Sequence, residues 1–252
     1  MTGPSTTTRS TSERARLARE HARWLARNRG GRLLERLLRR RVGPGVWAAL
    51  VALAGERRIA REHRAAVRKA SAYAGARGLR INVGCGPRLK EGWVNLDLVG
   101  DETLHLDLRR PLPFADGSAE IVYGEHVFEH LAFPEETHGF LRECLRVLAP
   151  GGRLSLVVPD TPPLLRAVAD RDEEWLRVAR ERWHPDWCRF PLDQLNYHFR
   201  QDGEHKWAWD EESLVRAFED AGFADVHRRA FDPELDSEER REGSLAVDGR
   251  RP

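Results

Sequence analysis

INVGCGPRLKEGWVNLDL, residues 81–98, decides how this chain is read. It opens on an apolar, β-branched run that stops at Gly84-Cys85-Gly86-Pro87. It closes on a second such run, WVNLD, ending in Asp97. Gly84 and Gly86 let the backbone turn tightly and approach a ligand closely. A lone G-x-G is a weak signal, and the third glycine of the dinucleotide fingerprint is missing. The context strengthens it. Asp97 follows Gly84 by thirteen residues, where a carboxylate can accept both hydroxyls of a ribose. TLHLDL (103–108) alternates like a strand and ends at Asp107, an acidic acceptor for an adenine ring, beside the apolar Leu108. A strand-end aspartate can equally be a capping residue; the three features in register argue for a ligand.

Downstream, AEIVYG (119–124) follows the turn ADGS and reads as a strand. PEETHGFLRECLRVLAPGG (134–152) is a helix with both ends marked: Pro134 and two glutamates start it, and Pro-Gly-Gly stops it. RLSLVVPD (153–160) is a buried strand. DEESLVRAFEDAGF (210–223) is a helix capped by Asp210 and closed by Gly222. ADVHRRAF (224–231) and SLAVDG (244–249) read as two last strands. Strands alternating with helices predict an α/β, mostly parallel sheet covered on both faces, with ligands at the carboxyl ends of its strands. Only about six residues separate Pro87 from the second strand, fewer than the dozen a parallel crossover takes, so a helix there shrinks to a turn.

The chain of 252 residues has 40% hydrophobic and 33% charged residues and no apolar run near the ~20 residues a bilayer needs. Cys85, Cys144 and Cys188 include no C-x-x-C, which argues against a disulfide framework or a cysteine zinc cage. With no apolar leader at the start, the expected location is the cytoplasm or a membrane periphery. The formal charge of +2 hides a split. Residues 1–80 carry 20 Lys and Arg against 5 Asp and Glu, and residues 81–252 carry 22 against 35. Residues 1–12 read as a disordered tail and 13–75 as a basic helical extension, with a second helical stretch from about Trp47 to Ala74. RLLERLLRRR (32–41) suits an anionic membrane surface, RNA phosphates or an acidic partner chain.

INVGCGPRLKEGWVNLDL, LDL with PLPFADGSAEIVYGEHVFEH, and FLRECLRVLAPGGRLSLVVPD together resemble the class I S-adenosylmethionine-dependent methyltransferases, over roughly 79–249. The nearest likeness is to a bacterial branch often found near polysaccharide and other secondary biosynthesis. The resemblance implies a Rossmann-like fold of seven strands, the last antiparallel, with S-adenosyl-L-methionine as cofactor. It implies a cofactor loop of Asn82, Val83, Gly84, Cys85, Gly86 and Pro87, with Gly84 to Pro87 at the methionine part. Asp97 would hold the ribose, Asp107 and Leu108 the adenine, and Glu125 with His126 the border between methionine and acceptor. The family commonly has an acid where Asn82 stands. The implied activity is methyl transfer to a small-molecule or glycan acceptor, with a hydroxyl as the expected atom. RNA methylation through the basic arm 13–41, or a cofactor-binding module without transfer, are the alternatives.

GEHVFEH (124–130) contains H-x-x-E-H, a zinc spacing on one helix face. Its place at the end of the fourth strand favours substrate-facing polar residues, and no metal is assigned. His126 is the first candidate general base, with Glu129 and His130 after it. No G-x-S-x-G elbow or phosphate loop is present. Residues 161–209 are too long for a plain connection. They hold Trp175, Trp183, Trp187, Trp207 and Trp209, and read as a substrate lid or as rings that pack the insertion down. The sequence leaves the oligomeric state open.

Overall fold

The computed structural model describes residues 42–252. The expectations for the tail 1–12 and for the basic arm 13–41 fall outside the described residues. Internal contacts divide the chain into residues 1–58 and 59–252, and the sheet with its core and clefts belongs to the second unit. Helix α1 (Pro44–Ala70) opens on proline, which suits a first helical position because its missing N–H is an orphan there anyway. Its later turns bury His63, Ala66 and Ala70. Among the described residues no helix is long and apolar enough to cross a membrane.

The remaining elements are β1 (Leu79–Val83), β2 (Val94–Leu96), β3 (Ala119–Glu125), α2 (Glu135–Val147), β4 (Leu148–Pro159), α3 (Thr161–Asp170), α4 (Glu173–Arg182), α5 (Pro191–Arg200), α6 (Glu211–Asp220), β5 (Ala224–Arg228) and β6 (Ser244–Arg250). They build one sheet in the order β2-β1-β3-β4-β6-β5. Strands β1 to β4 run parallel, and β6 is antiparallel to both neighbours. Pro-Gly-Gly does not end the helix as expected. It sits in β4, where pairing jumps from Leu148 to Arg153 and the four residues between loop out.

Two expectations are corrected. The sheet has six strands among the described residues, not seven. TLHLDL contributes a single parallel bridge, Leu96 to Leu104. The cause is local: the Leu106 amide donates to the Leu104 carbonyl at 2.8 Å, so the chain curls back on itself rather than running along β2. The Thr103 hydroxyl also donates back to the Val99 carbonyl at 2.9 Å.

The second correction concerns the helices. Val122, Leu154, Leu156, Leu245 and Val247 share the main core with Ala66 and Ala70 of α1, Phe140 and Leu141 of α2, and Leu214 and Phe218 of α6. Side chains alternate along strands, so Ile121, Tyr123, Val157 and Ala246 face the other way. They cluster with Trp93 and Leu235, both from connecting segments. The connection from β1 to β2 spans only residues 84–93, and the one from β2 to β3 carries no helix. The helices of the main core therefore cover one face, and the segment after β5 covers the other. Arg229 anchors that segment: its guanidinium donates to both oxygens of Asp236 at 2.6 and 2.7 Å, and to Asp248 at 3.0 Å.

Candidate active site

The turn after β1 is built by two asparagines in register, Asn82 on β1 and Asn95 on β2. Asn82 Nδ2 donates to Asn95 Oδ1 at 2.9 Å and to the Arg88 carbonyl at 3.0 Å. Asn95 then holds Lys90 from both sides, accepting from its amide at 2.9 Å and donating to its carbonyl at 3.0 Å. These bonds satisfy the backbone of a connection too short for a helix. They also give Asn82 work that an acid could not do with the same donors. Asn95 belongs to no motif; its facing partner thirteen residues upstream is the signal that could have found it.

Gly84 and Gly86 both have left-handed φ, +60° and +51°, but for different reasons. A Cβ on Gly84 would stand 2.2 Å from Val127 Cγ2, whereas one on Gly86 would meet nothing within 4 Å. Gly84 is a packing requirement, and Gly86 leaves open space. The structure brings Gly86 and Asp97 together: the Gly86 amide donates to Asp97 Oδ2 at 2.8 Å, and the Val99 amide to Oδ1 at 2.9 Å. Each oxygen keeps a lone pair, as a ribose-binding carboxylate requires. Burial, reinforced by the charge of Asp97, pushes the buried Cys85 thiol up to about 12, so it stays protonated.

Asp107 is engaged internally. Arg109 donates to Oδ1 at 2.8 Å and to Oδ2 at 3.1 Å, and the Asp107 amide donates to His63 Nδ1 at 3.1 Å. Burial pushes its carboxyl up, but the Arg109 hydrogen bonds outweigh burial and leave it below the usual carboxylate range. Leu108 packs, half-buried, against the main core.

At the end of β3 lies a narrow cleft of about 20 Å³ whose lining includes Gly84, Cys85, Tyr123, Glu125, Ser237 and Arg240. Glu125 accepts from the Ser237 amide at 3.0 Å and its hydroxyl at 2.5 Å, and Arg240 donates to the Glu125 carbonyl at 3.0 Å. Arg88 and Lys90 reach the same segment, Arg88 to Glu239 at 2.6 Å and Lys90 to the Leu235 carbonyl at 2.6 Å. Ser237, Glu239 and Arg240 carry no signal in the sequence. Their partners lie more than a hundred residues away, and no spacing announces them.

GEHVFEH does not form an α-helical face. His126 leaves β3 with φ +53°, and residues 128–130 make one 3₁₀ turn. His126 Nε2 lies 2.8 Å from the Ser244 hydroxyl, and Nδ1 lies 3.7 Å from Glu129 Oε1. Glu129 is 1% exposed, and neither of its carboxylate oxygens has a hydrogen-bond partner among the described residues. Burial pushes Glu129 up to about 8, and burial holds His126, His130 and His205 below the ordinary histidine value.

The long insertion forms α3, α4 and α5, with a cluster of their own around Leu164, Ala167 and Leu176. Its tryptophans divide. Trp209 is buried and stacks on Phe128 at 4.9 Å, and Trp207 stacks on Phe133 at 4.5 Å. Trp187, half exposed, lines a cavity of about 410 Å³ with Asn196, Tyr197, Arg200, Asp202 and His205. Aromatic faces beside a few convergent polar groups suit a small-ligand pocket.

Residues 82–156 match the family model of a methyltransferase domain. Residues 82–156 thus belong to a methyltransferase domain: the chain is an enzyme, and its cofactor is S-adenosylmethionine. Among solved structures it is similar to a SAM-dependent methyltransferase from Archaeoglobus fulgidus. The two are 15% identical over 75% of this chain and 94% of that one, with a TM-score of 0.45. It is also similar to phosphoethanolamine N-methyltransferase 2 of Haemonchus contortus, solved with S-adenosyl-L-methionine. There the identity is 13% over 70% of this chain and 49% of that one, with a TM-score of 0.40. No curated protein sequence matches the chain.

Proposed function

We propose that the enzyme methylates a hydroxyl of a small molecule or glycan. The observation that carries this reading is the cavity beside His205, where Trp187 and Tyr197 offer flat apolar faces and Asn196, Arg200 and Asp202 offer polar handles. Sugars and aromatic rings both bind such a surface through stacking and directed hydrogen bonds. When bound, S-adenosylmethionine supplies a methyl group already activated by the sulfonium charge. The open space at Gly86 fits its methionine part, and the free lone pairs of Asp97 fit its ribose. Val83, Gly84, Cys85 and Pro87 shape the loop beneath, with Asn82 bracing it, Glu125 at the methionine side, and Leu108 with Asp107 at the adenine side.

The chain's main task in this reading is alignment. Holding acceptor and donor in line supplies ~7–11 kcal/mol, against a factor of ~10²–10⁴ from a general base. His126, Glu129 and His130 are assigned to the acceptor side. His126→Ala is expected to lower turnover while S-adenosylhomocysteine still binds by calorimetry; undiminished turnover removes His126 from that role. The reading as a whole is tested by incubating the protein with methyl-labelled S-adenosylmethionine and an extract divided into small-molecule, glycan and RNA fractions. Label entering an O-methylated small molecule or glycan supports it, and label confined to RNA refutes it.

A further inference from the structure

We propose that Glu129, His130 and His205, with His126 beside Glu129, bind a divalent first-row transition-metal ion of the zinc type. Three imidazole nitrogens converge on one buried carboxylate oxygen. Glu129 Oε1 lies 3.7 Å from His126 Nδ1, 3.9 Å from His205 Nε2 and 4.0 Å from His130 Nε2. The ligand atoms of Glu129, His130 and His205 all lie within 4.8 Å of one another. Direct hydrogen bonds would draw these atoms to about 2.7–3.2 Å. An ion with bonds of ~2.0–2.1 Å to nitrogen and oxygen holds tetrahedral ligand atoms about 3.3 Å apart, so modest contraction closes the shell.

A second observation points to a cation. Neither Glu129 oxygen has a hydrogen-bond partner among the described residues, although the side chain is 98% buried. A buried carboxylate left unpaired is strongly disfavoured. His205 sharpens the argument. Its Nδ1 lies 2.6 Å from the His198 carbonyl, which can only accept, so Nδ1 carries the hydrogen and neutral Nε2 presents a lone pair toward the carboxylate. Two acceptors turned toward each other call for a proton or a metal ion between them, and the 3.9 Å gap is too wide for a shared proton. A ring N–H anchored on a backbone carbonyl is also the usual outer support of a metal-bound histidine. The two ligand segments are stapled together besides, because the Lys206 and Trp207 amides donate to the Glu129 carbonyl at 2.8 and 3.2 Å. A set of imidazoles and one carboxylate suits zinc and its neighbours better than magnesium or calcium.

H-x-x-E-H alone lacked a helical face and a further ligand; the fold supplies the ligand as His205. Because His205 also lines the aromatic cavity, the ion would stand at the acceptor's edge. The site itself does not rest on the methyl-transfer reading, whereas that role does.

The test uses the full chain, freed of any affinity tag and stripped of metal. Zn²⁺ titration is followed by calorimetry, Co²⁺ loading by visible absorption, and both are repeated on His130→Ala and His205→Ala. His130, partly exposed, is the substitution least able to disturb folding. We expect close to one equivalent bound, a tetrahedral cobalt spectrum, and at least tenfold weaker binding in either folded variant. Absence of binding, or binding undiminished in His130→Ala, overturns the proposal. Calorimetry with S-adenosylhomocysteine on the same sample reports separately on the methyltransferase reading.

Discussion

Alanine at Gly84 and alanine at Gly86 should fail in opposite ways. Both glycines have left-handed φ, which costs an L-residue about 1–2 kcal/mol. At Gly84 the added methyl would also lie 2.2 Å from Val127 Cγ2 and 2.4 Å from Val127 Cβ. Carbon atoms at rest sit ~3.5–4.0 Å apart, so more than an ångström of overlap must be relieved. Val127 has little room to retreat. It follows left-handed His126, precedes the 3₁₀ turn, and also faces Gly124 in the core. Overpacking of this kind costs about 1–3 kcal/mol, and with the backbone term Gly84→Ala loses about 2–5 kcal/mol. At a urea m-value of about 2 kcal/mol/M, the midpoint falls by about 1–2.5 M. Gly86→Ala has no clash to relieve, so its midpoint falls by only about 0.5–1 M. Its methyl instead projects into the space beside Asp97. By calorimetry, S-adenosylhomocysteine should bind the folded Gly86→Ala protein about tenfold more weakly or worse, about 1.4 kcal/mol. A Gly84→Ala midpoint no lower than that of Gly86→Ala would refute the packing argument. Unchanged affinity in Gly86→Ala would refute the role of Gly86 in cofactor binding.

Asn95→Ala should cost about 1–3 kcal/mol by removing one acceptor from the Asn82 amide and both side-chain partners from the Lys90 backbone. A urea midpoint equal to wild type would mean that the turn holds itself. Asp236 governs part of the acid limb. Burial pushes its carboxyl up, but the two-pronged Arg229 contact outweighs burial and leaves it below the ordinary value. Its contribution is therefore present above the unfolded pKa of ~3.9 and is lost as pH falls through the lower folded value. Asp236→Asn should make the midpoint less sensitive to pH below about 4, and an acid limb as steep as wild type would exclude this carboxylate. Glu239→Ala breaks a partly exposed ion pair with Arg88, so stability should change by less than about 1 kcal/mol. Cofactor exchange measured by stopped flow should quicken, and equal rates would mean that the segment 232–241 does not gate the cleft.

The parts of this molecule that were legible in sequence are those whose signals are local. Strands β1, β3 and β6 appear where apolar runs predict them, and α6 begins at Asp210, whose side chain accepts from the Ser213 amide at 2.9 Å. The glycine turn and Asp97 were legible because each sits at a strand end, and strand ends can be read one at a time. TLHLDL was misread because alternation records what a segment can bury, not whether its amides reach a neighbour; the Leu106 amide goes to Leu104 instead. Contacts between Glu125 and Ser237, or Glu129 and His205, leave no trace in spacing, since each joins segments that only the finished sheet brings together.

One shortening accounts for much of what is unusual here. A turn of ten residues between β1 and β2, and a helix-free connection from β2 to β3, leave the face bearing Ile121, Tyr123 and Val157 without a covering helix. That apolar surface must still be shielded from water. The segment after β5 does it, with Leu235 against the face and Arg229 bound to Asp236 and Asp248 behind it. Because the shortened turn is itself the glycine loop, a segment covering this face necessarily runs past the mouth of the cleft. Ser237 and Arg240 thereby meet Glu125, and Glu239 meets Arg88. In a fold with full-length crossover helices, covering the sheet and closing the cleft would be separate tasks. Here one segment does both, so substitutions that loosen the cover should alter cofactor exchange as well as stability.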